Sequence, residues 1–481
     1  MKMQRVADLV EDVQLGDPRR TQRLRQTVEL LAAKPTASIP EAANSWSQTL
    51  ATYRLLSNDA LDLEQLIAGI GLTTAKRCPP SGVVLAVQDT SSFDFTGHRG
   101  GQSLGPLETS KRQGLMTHTT LAVHPAGTPI GVLDQRIWAR DPDAPPTAVN
   151  RHHTPIEGKE SGKWLEGVRA SLDRLAGDCT VVTVADREAD IYELFALCTE
   201  LAGDWVIRAR HDRKRHGDAA SIEQLITASA PRGVQTVEVG ARPDQPPRQA
   251  TVEVRAITVE VDPPRTDSKQ RKAHWYAAHP AVERIGPSAM GALSLGVVLV
   301  TEPDAPAGVT PLHWLLLTSL PVTSEAEVLT CLHYYRLRWL VERFHYVLKS
   351  GCRVEALQLA TGPRLQRALA IYSVVAAWIL LCTYAARVDP DAPATTIMDE
   401  EAWQVLMRVH APAQPLSAEP PTVREAVRLV AQLGGFLARR GDGEPGVVTI
   451  WRGFRRLADI IFAWQLLQGI SAPSPSPPTS V

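Results

Sequence analysis

A mixed α/β fold, with a mostly buried sheet flanked by helices, is what three features of this 481-residue sequence predict. "GVVLAVQDTSSFDF" and "CTVVTVADREADIYELF" contain continuous valine-rich apolar runs, as strands covered on both faces require. Each run leads into an acid, Asp89 in the first and Asp186 in the second. The order of elements is strands first, then alternating strands and helices, which suits a mixed sheet with helices packed on it.

The elements follow in order. "GDPRRTQRLRQTVELLAAKP" is a helix, with Asp17 as N-cap and Pro18 at the first position. Arg19, Arg20, Arg23 and Arg25 crowd its first turns. They suit phosphate contacts, and equally a solvated helix face. "SIPEAANSWSQTLATYRLLSNDALD" continues as helix. "GVVLAVQDTSSFDF" is then a strand ending at Asp89, and "HTTLAVHPAGTPIGVLDQRIW" is two strands about a Pro/Gly turn. "ESGKWLEGVRASLDRLAG" is a helix, "CTVVTVA" a strand running straight into a helix after Asp186, and "DWVIRARH" a strand. From about residue 213 to 310, alternating strands separated by Pro-, Asp- and Gly-rich turns predict an antiparallel β insertion. "PLHWLLLTSLPV" returns to the sheet, and a helix covers 334–351. Residues 368–386 are free of charge. That length just suffices for a bilayer, but its serine, threonine and tyrosines suit a helix buried in a large domain. Beyond "DPDAPATT" the chain is helical again, and "SAPSPSPPTSV" has the composition of a disordered tail. The divisions are therefore 1–70 (helical), 71–388 (α/β), 389–470 (helical) and 471–481 (tail).

With 44% hydrophobic and 21% charged residues the chain is globular, and a net charge of −1 gives it no global attraction to nucleic acid. Any such binding must use local patches. Six scattered cysteines without a CxxC pair argue against a zinc site and a disulfide framework and suit a reducing cytoplasm. The start, "MKMQRVADLVEDVQLGD", is too acidic for a signal peptide.

The stretch "YYRLRWLVERFHYVLKSG" carries the chemistry. Read as one helix turning about 100° per residue, it puts Tyr335, Arg338, Glu342 and Lys349 within roughly a 60° arc. Leu337, Leu340, Phe344, Val347 and Leu348 form an apolar back. On periodicity alone this is any surface helix with an i, i+4 ion pair. The two strand-end acids change the weighing. Acids at the carboxyl ends of neighbouring strands point into the crevice where α/β folds keep their sites. Three clustered carboxylates repel one another unless a cation neutralises them, and oxygen donors select Mg²⁺ or Mn²⁺. Two such ions serve phosphodiester chemistry, with arginine and lysine holding phosphates.

The pattern Y-x2-R-x3-E-x6-K, here Tyr335, Arg338, Glu342 and Lys349, resembles the signature of the cut-and-paste DDE transposases of bacterial insertion sequences, in insertion-sequence family four. "VQDTSSF" looks like the first-acid segment and "VADREADIYELF" the second; "GDPRRTQRL", "KESGKW", "LHWLLLTS" and "LGGF" also match. The resemblance implies an RNase H-like core interrupted by a β insertion, with Asp89, Asp186 and Glu342 binding two divalent metals, Mg²⁺ or Mn²⁺. It implies excision by nicking, hairpin formation and hairpin opening, then joining to target DNA. It gives Trp314, which lies 28 residues before Glu342, a flipped base to hold. Tyr335, Arg338 and Lys349 would touch terminal phosphates, Arg208 would lie near the hairpin, and Arg19, Arg20 and Arg23 would read the element's ends. A buried structural tryptophan and a surface strand charge are the plain readings of Trp314 and Arg208. The implied partners are transposon-end and target duplexes and a second copy in a synaptic homodimer, with no membrane and no nucleotide cofactor. The alternatives are a domesticated DNA-binding relative, an RNase H-like metal nuclease and, more distantly, a two-carboxylate glycosidase. His118 and His124 have no role in this scheme.

Overall fold

A computed structural model describes residues 6–469 except 99–102, 110, 144–158, 176, 218–219, 241–245 and 263–291. The tail 471–481, "RHHTPIEG", part of "PDQPPRQ" and most of "DPPRTDSKQRKAHWYAAH" lie outside the described residues. The strands are β1 (Ser81–Asp94), β2 (Gly105–Pro106), β3 (Gln113–Val123), β4 (Pro129–Trp138), β5 (Asp178–Ala185), β6 (Asp204–Arg208), β7 (Gly233–Val239), β8 (Arg248–Val261), β9 (Leu293–Thr301) and β10 (His313–Thr318). The fold is mixed α/β with helical regions at both ends of the chain, consistent with an RNase H-like core. Two compact units emerge: Pro80–Asp89 with Pro145–Trp339, and Met1–Pro79 with Thr90–Ala144 and Leu340–Val481.

In the first unit the strand order is β1-β5-β6-β10-β9-β8-β7. β1, β5 and β6 run parallel, while β10, β9, β8 and β7 pair antiparallel. The parallel strands are buried over consecutive residues, as their unbroken apolar runs require. β8 alternates, burying Ala250, Val252, Val254 and Ala256 on one face. The insertion strands do not form a separate module; they extend the sheet through β9 and β10. Trp164, Phe195 and Trp205 anchor the core on one face, with the Phe195 and Trp205 rings stacked at 4.2 Å. At the outer strands Arg248 makes a two-pronged ion pair with buried Glu302, whose carboxyl it holds below the usual range.

The helix Glu325–Arg336 starts at a capping box of Ser324 and Glu327. The Glu327 carboxylate accepts from the Thr323 hydroxyl and from the Thr323 and Ser324 amides, and its pKa falls to about 2. A carboxyl depressed in the folded state stabilises above its unfolded pKa, about 4.3, and that contribution fades as pH falls towards the folded value. Glu327→Ala is therefore expected to lower the melting temperature most above about pH 5 and progressively less towards about pH 2. A melting difference that is flat across this window would remove the carboxylate from the cap.

In the second unit, β3 pairs with β4 and β2 antiparallel, and the last residues of β1 run beside β3. Gly114 permits that approach, because a Cβ there would overlap the Phe93 carbonyl oxygen. The long helix Gly362–Val388 is the centre of the unit: every residue from Arg367 to Ala386 is buried, so its apolar length is that of a core helix. Asp17 caps Pro18–Ala33 as its sequence predicts, accepting from the Arg19 amide at 2.8 Å. Helices Glu400–His410, Val423–Leu433 and Val447–Leu467 follow. The last two meet at Gly434 and Gly453, where added Cβ atoms would overlap the Thr449 and Val430 carbonyls. This gives the "LGGF" motif a packing reason.

Two expectations need correction. β1 does not end at Asp89 but runs on to Asp94. Residues 334–351 are not one helix. The helix Glu325–Arg336 stops in a tight turn, with the Arg338 amide donating to the Tyr335 carbonyl. A second helix spans Trp339–Tyr346 and ends in a π-helical turn, Val347–Gly351. The arc computed for a single ideal helix therefore does not apply, although the residue spacing stands.

Candidate active site and nucleic-acid interface

The first unit brings two of the three acids together. β1 and β5 are parallel neighbours, paired from Ser81 with Asp178 to Val87 with Val184. Two residues further along each strand come Asp89 and Asp186. The last paired residues of the two strands thus stand the same two positions before each acid. Both are half-buried, at the carboxyl end of the parallel pairing. Asp186 also caps the turn that follows, accepting from the Glu188 amide at 2.8 Å. That turn separates β5 from the helix Tyr192–Glu200, so the strand does not run straight into it.

The same motif holds an acid of a different kind. Asp190 is buried, accepts from the Arg210 and His211 amides at 2.7 and 2.9 Å, and pairs with Arg213. It fixes the segment after β6. Lys163 is buried too, with Glu160 at 3.9 Å and Glu188 at 3.8 Å, which gives the "KESGKW" motif a place beside the second acid's turn. The sequence reading assigned neither residue a role; the only signal was their position inside the two motifs.

Trp314, Tyr335 and Arg338 form a cluster in this unit. The half-buried Trp314 ring meets the Tyr335 ring edge-on at 5.8 Å, and the Arg338 guanidinium lies 5.9 Å from the Tyr335 ring. Tyr335 is itself buried. Arg208, at the end of β6, donates to the His313 carbonyl at 2.9 Å, beside Trp314.

The second unit carries Glu342, exposed on the short helix Trp339–Tyr346. One turn on, buried His345 faces the Thr119 hydroxyl at 3.4 Å, and Gln135 bridges Thr119 to Ser373 on the long helix. His118, the next residue along β3, pairs with the Thr90 hydroxyl at 2.9 Å. His118 thus has a structural task, holding the residue after Asp89, while His124 shapes the β3–β4 turn by accepting from the Ala126 amide. Lys349 lies over the Phe93 ring at 5.3 Å.

The amino-terminal arginines divide. Arg19 and Arg23 are exposed, but Arg20 is engaged by the Leu15 and Ala60 carbonyls, which ties two loops together. Among the described residues, no three His, Cys, Asp or Glu side chains lie close enough to hold a metal. The Asp89–Asp186 pair nevertheless offers half-buried oxygen donors, a partial set of the kind that hard divalent ions take.

Residues 2–61 match the Transposase DNA-binding family, and residues 160–379 match the Transposase DDE domain. Residues 374–468 match the Transposase Tn5 dimerisation domain. The chain carries the domains of a Tn5-type DDE transposase. Its exposed arginines Arg19 and Arg23 fall in the DNA-binding match, Asp186 and Glu342 in the DDE match, and Asp89 upstream of that match. In the dimerisation match, Ile450, Phe454 and Leu457 are buried within the transposase's own unit, whereas Leu466 and Leu467 at the helix end are exposed.

Proposed function

We propose that this chain is a cut-and-paste transposase of insertion-sequence family four, with Asp89, Asp186 and Glu342 as its metal-binding acids. The observation that carries this is that Asp89 and Asp186 each lie two residues past the last paired residues, Val87 and Val184, of adjacent parallel strands in a chain with DDE transposase domains. Glu342 is the third acid by the family resemblance, since it stands in register with the Tyr335, Arg338 and Lys349 signature. Two divalent ions, Mg²⁺ or Mn²⁺, bound there supply charge stabilisation and a more acidic attacking water or hydroxyl. The chain's own part is to hold the carboxylates, grip the phosphates with Arg338 and Lys349, and seat a displaced base against Trp314. Water attacks the phosphorus at the element's end and the 3′-oxygen leaves. The freed 3′-hydroxyl attacks the opposite strand to close a hairpin, which water reopens. The exposed 3′-end then attacks target DNA. Each step exchanges one P–O bond for another, so one site serves all four.

Residues 1–70 bind the ends, 71–388 cut and join, and 389–470 pair two protomers in the synaptic complex; the enzyme works in the bacterial cytoplasm on its own DNA. The testing experiment incubates the protein with duplexes bearing its native flanking ends, in Mg²⁺, in Mn²⁺ and in chelator. Metal-dependent nicks at the element edge, followed by hairpins, are expected on a denaturing gel. Metal-dependent cutting without end preference would instead define a nuclease, and end binding without cutting a domesticated relative. Trp314→Ala is expected to leave first-strand nicking nearly intact and to lower hairpin yield by roughly tenfold, the scale of one lost base stack. An unchanged hairpin yield would return Trp314 to a purely structural role against Tyr335.

A further inference from the structure

The helix Trp46–Ser57 lies wholly within the DNA-binding match. Its inner side is built from Thr49, Thr52, Leu55 and Leu56, all buried. At 100° per residue, Trp46, Leu50, Tyr53 and Arg54 fall on another arc, roughly 100° wide. Leu50 and Tyr53 are half-buried there and Arg54 is exposed. Trp46 is 76% exposed, and no other large apolar side chain is exposed among the described residues 6–61.

An indole is the largest apolar surface a side chain can present, and its ring has few rotamers to lose when it is covered. The backbone beneath this one is already ordered. Ser45 caps the Gln48 amide at 3.3 Å and contacts the Ser47 hydroxyl at 2.9 Å, and the Gln48 side chain accepts from the Asn44 amide at 2.9 Å. Asn44, Ser45 and Ser47 are exposed around the ring. They are short polar side chains that leave it uncovered. The short helix Ile39–Ala42 and a turn precede it.

Exposed arginines of this domain, Arg19, Arg23 and Arg54, match the charge of a DNA backbone. Arginine–phosphate contacts position a protein on a duplex but carry no sequence information. That information comes from base edges, including the apolar contact a side chain makes with a thymine methyl group. Residues at the start of a helix that follows a turn are the ones such domains bring to base edges.

From these observations we infer that Trp46 is a base-contacting residue, inserting its indole into a groove of the element-end duplex and supplying end preference that phosphate contacts cannot. The inference rests on the end-binding part of the proposed function and not on its chemistry. Half-buried Leu50 and Tyr53 and exposed Arg54 lie on the same arc of the helix.

The test measures binding by fluorescence anisotropy, in chelator, at several salt concentrations. The two probes are a labelled duplex carrying the native element end and a scrambled duplex of the same composition. Trp46→Ala is expected to weaken end binding by roughly tenfold or more while changing scrambled binding little. The slope of affinity against salt should stay that of the wild type, because no phosphate contact is lost, whereas Arg19→Ala should lower that slope by about 0.9. Trp46→Phe should recover part of the loss, and the melting temperature of both Trp46 variants should match the wild type. Unchanged end affinity in Trp46→Ala would overturn the assignment. So would an equal loss on both duplexes, or a change in self-association without a change in DNA affinity, which would make the ring a contact between chains. Because no cleavage is needed, a chain that binds ends without cutting would lose the catalytic assignment and leave this test intact.

Discussion

Glu342→Gln and Asp186→Asn are each expected to reduce metal-dependent cleavage by roughly 10³-fold or more. Both replacements keep the shape of the side chain and remove its charge. Glu342 is exposed, so its replacement leaves no cavity in the core. Asp186 accepts from the Glu188 amide, and asparagine retains an oxygen for that bond. Folding and end binding should therefore survive, with affinity for the native-end duplex within about twofold of wild type, inside the range of surface substitutions. The double variant should be little worse than either single one, because groups that act as a unit are lost as a unit. Gel assays of cleavage and anisotropy of binding, run on the same preparations, separate the outcomes. Binding lost together with cleavage would make these carboxylates structural. A loss of only a few fold would mean that other donors complete the site.

That expectation joins the part of the site that was plain in the sequence with the part that was not. The two aspartates could be read because each follows a buried valine-rich strand, and parallel strands bring such ends together. The insertion strands could be read from their alternation, but not their attachment, since pairing β9 with β10 depends on partners distant in sequence. The break at Leu337 and Arg338 left no mark. "YYRLRWLVERF" holds no glycine or proline and no N-cap residue, so nothing in it marks the turn that the Arg338 amide closes on the Tyr335 carbonyl. Asp190 and Asp186 stand four residues apart in one motif, yet one is a buried strut and the other a ligand candidate. The amides of Arg210 and His211 and the Arg213 guanidinium, all brought from after β6, tell them apart. His118 was unexplained for the same reason, because its partner Thr90 lies on another strand.

A second large effect is expected at Arg367, which the sequence shows only as the charge bordering an apolar run. In the fold it is buried on the long helix Gly362–Val388. Its guanidinium donates to the Leu61 carbonyl at 2.9 Å, to the Leu56 carbonyl at 3.1 Å and to the Asp59 carboxylate at 3.2 Å. Asp59 is 98% exposed, so the ion pair itself contributes little, and the two carbonyls carry the argument. They belong to the last turn of the helix Trp46–Ser57 and to the loop after it, at the end of the DNA-binding match, and replacing the arginine leaves both without this partner. Arg367→Met, which keeps the apolar stem, is expected to destabilise the protein by about 2–4 kcal/mol, the cost of stranding two such acceptors. Arg367→Lys should rescue little, because one ammonium cannot match the flat fork that reaches three acceptors. Denaturant unfolding would give the magnitude, and hydrogen exchange at residues 56–61 would locate it. If both variants melt like the wild type, the carbonyls have found water and the clamp adds nothing. If exchange rises in that loop while the long helix stays protected, Arg367 is the tie between the core of the unit and its DNA-binding segment.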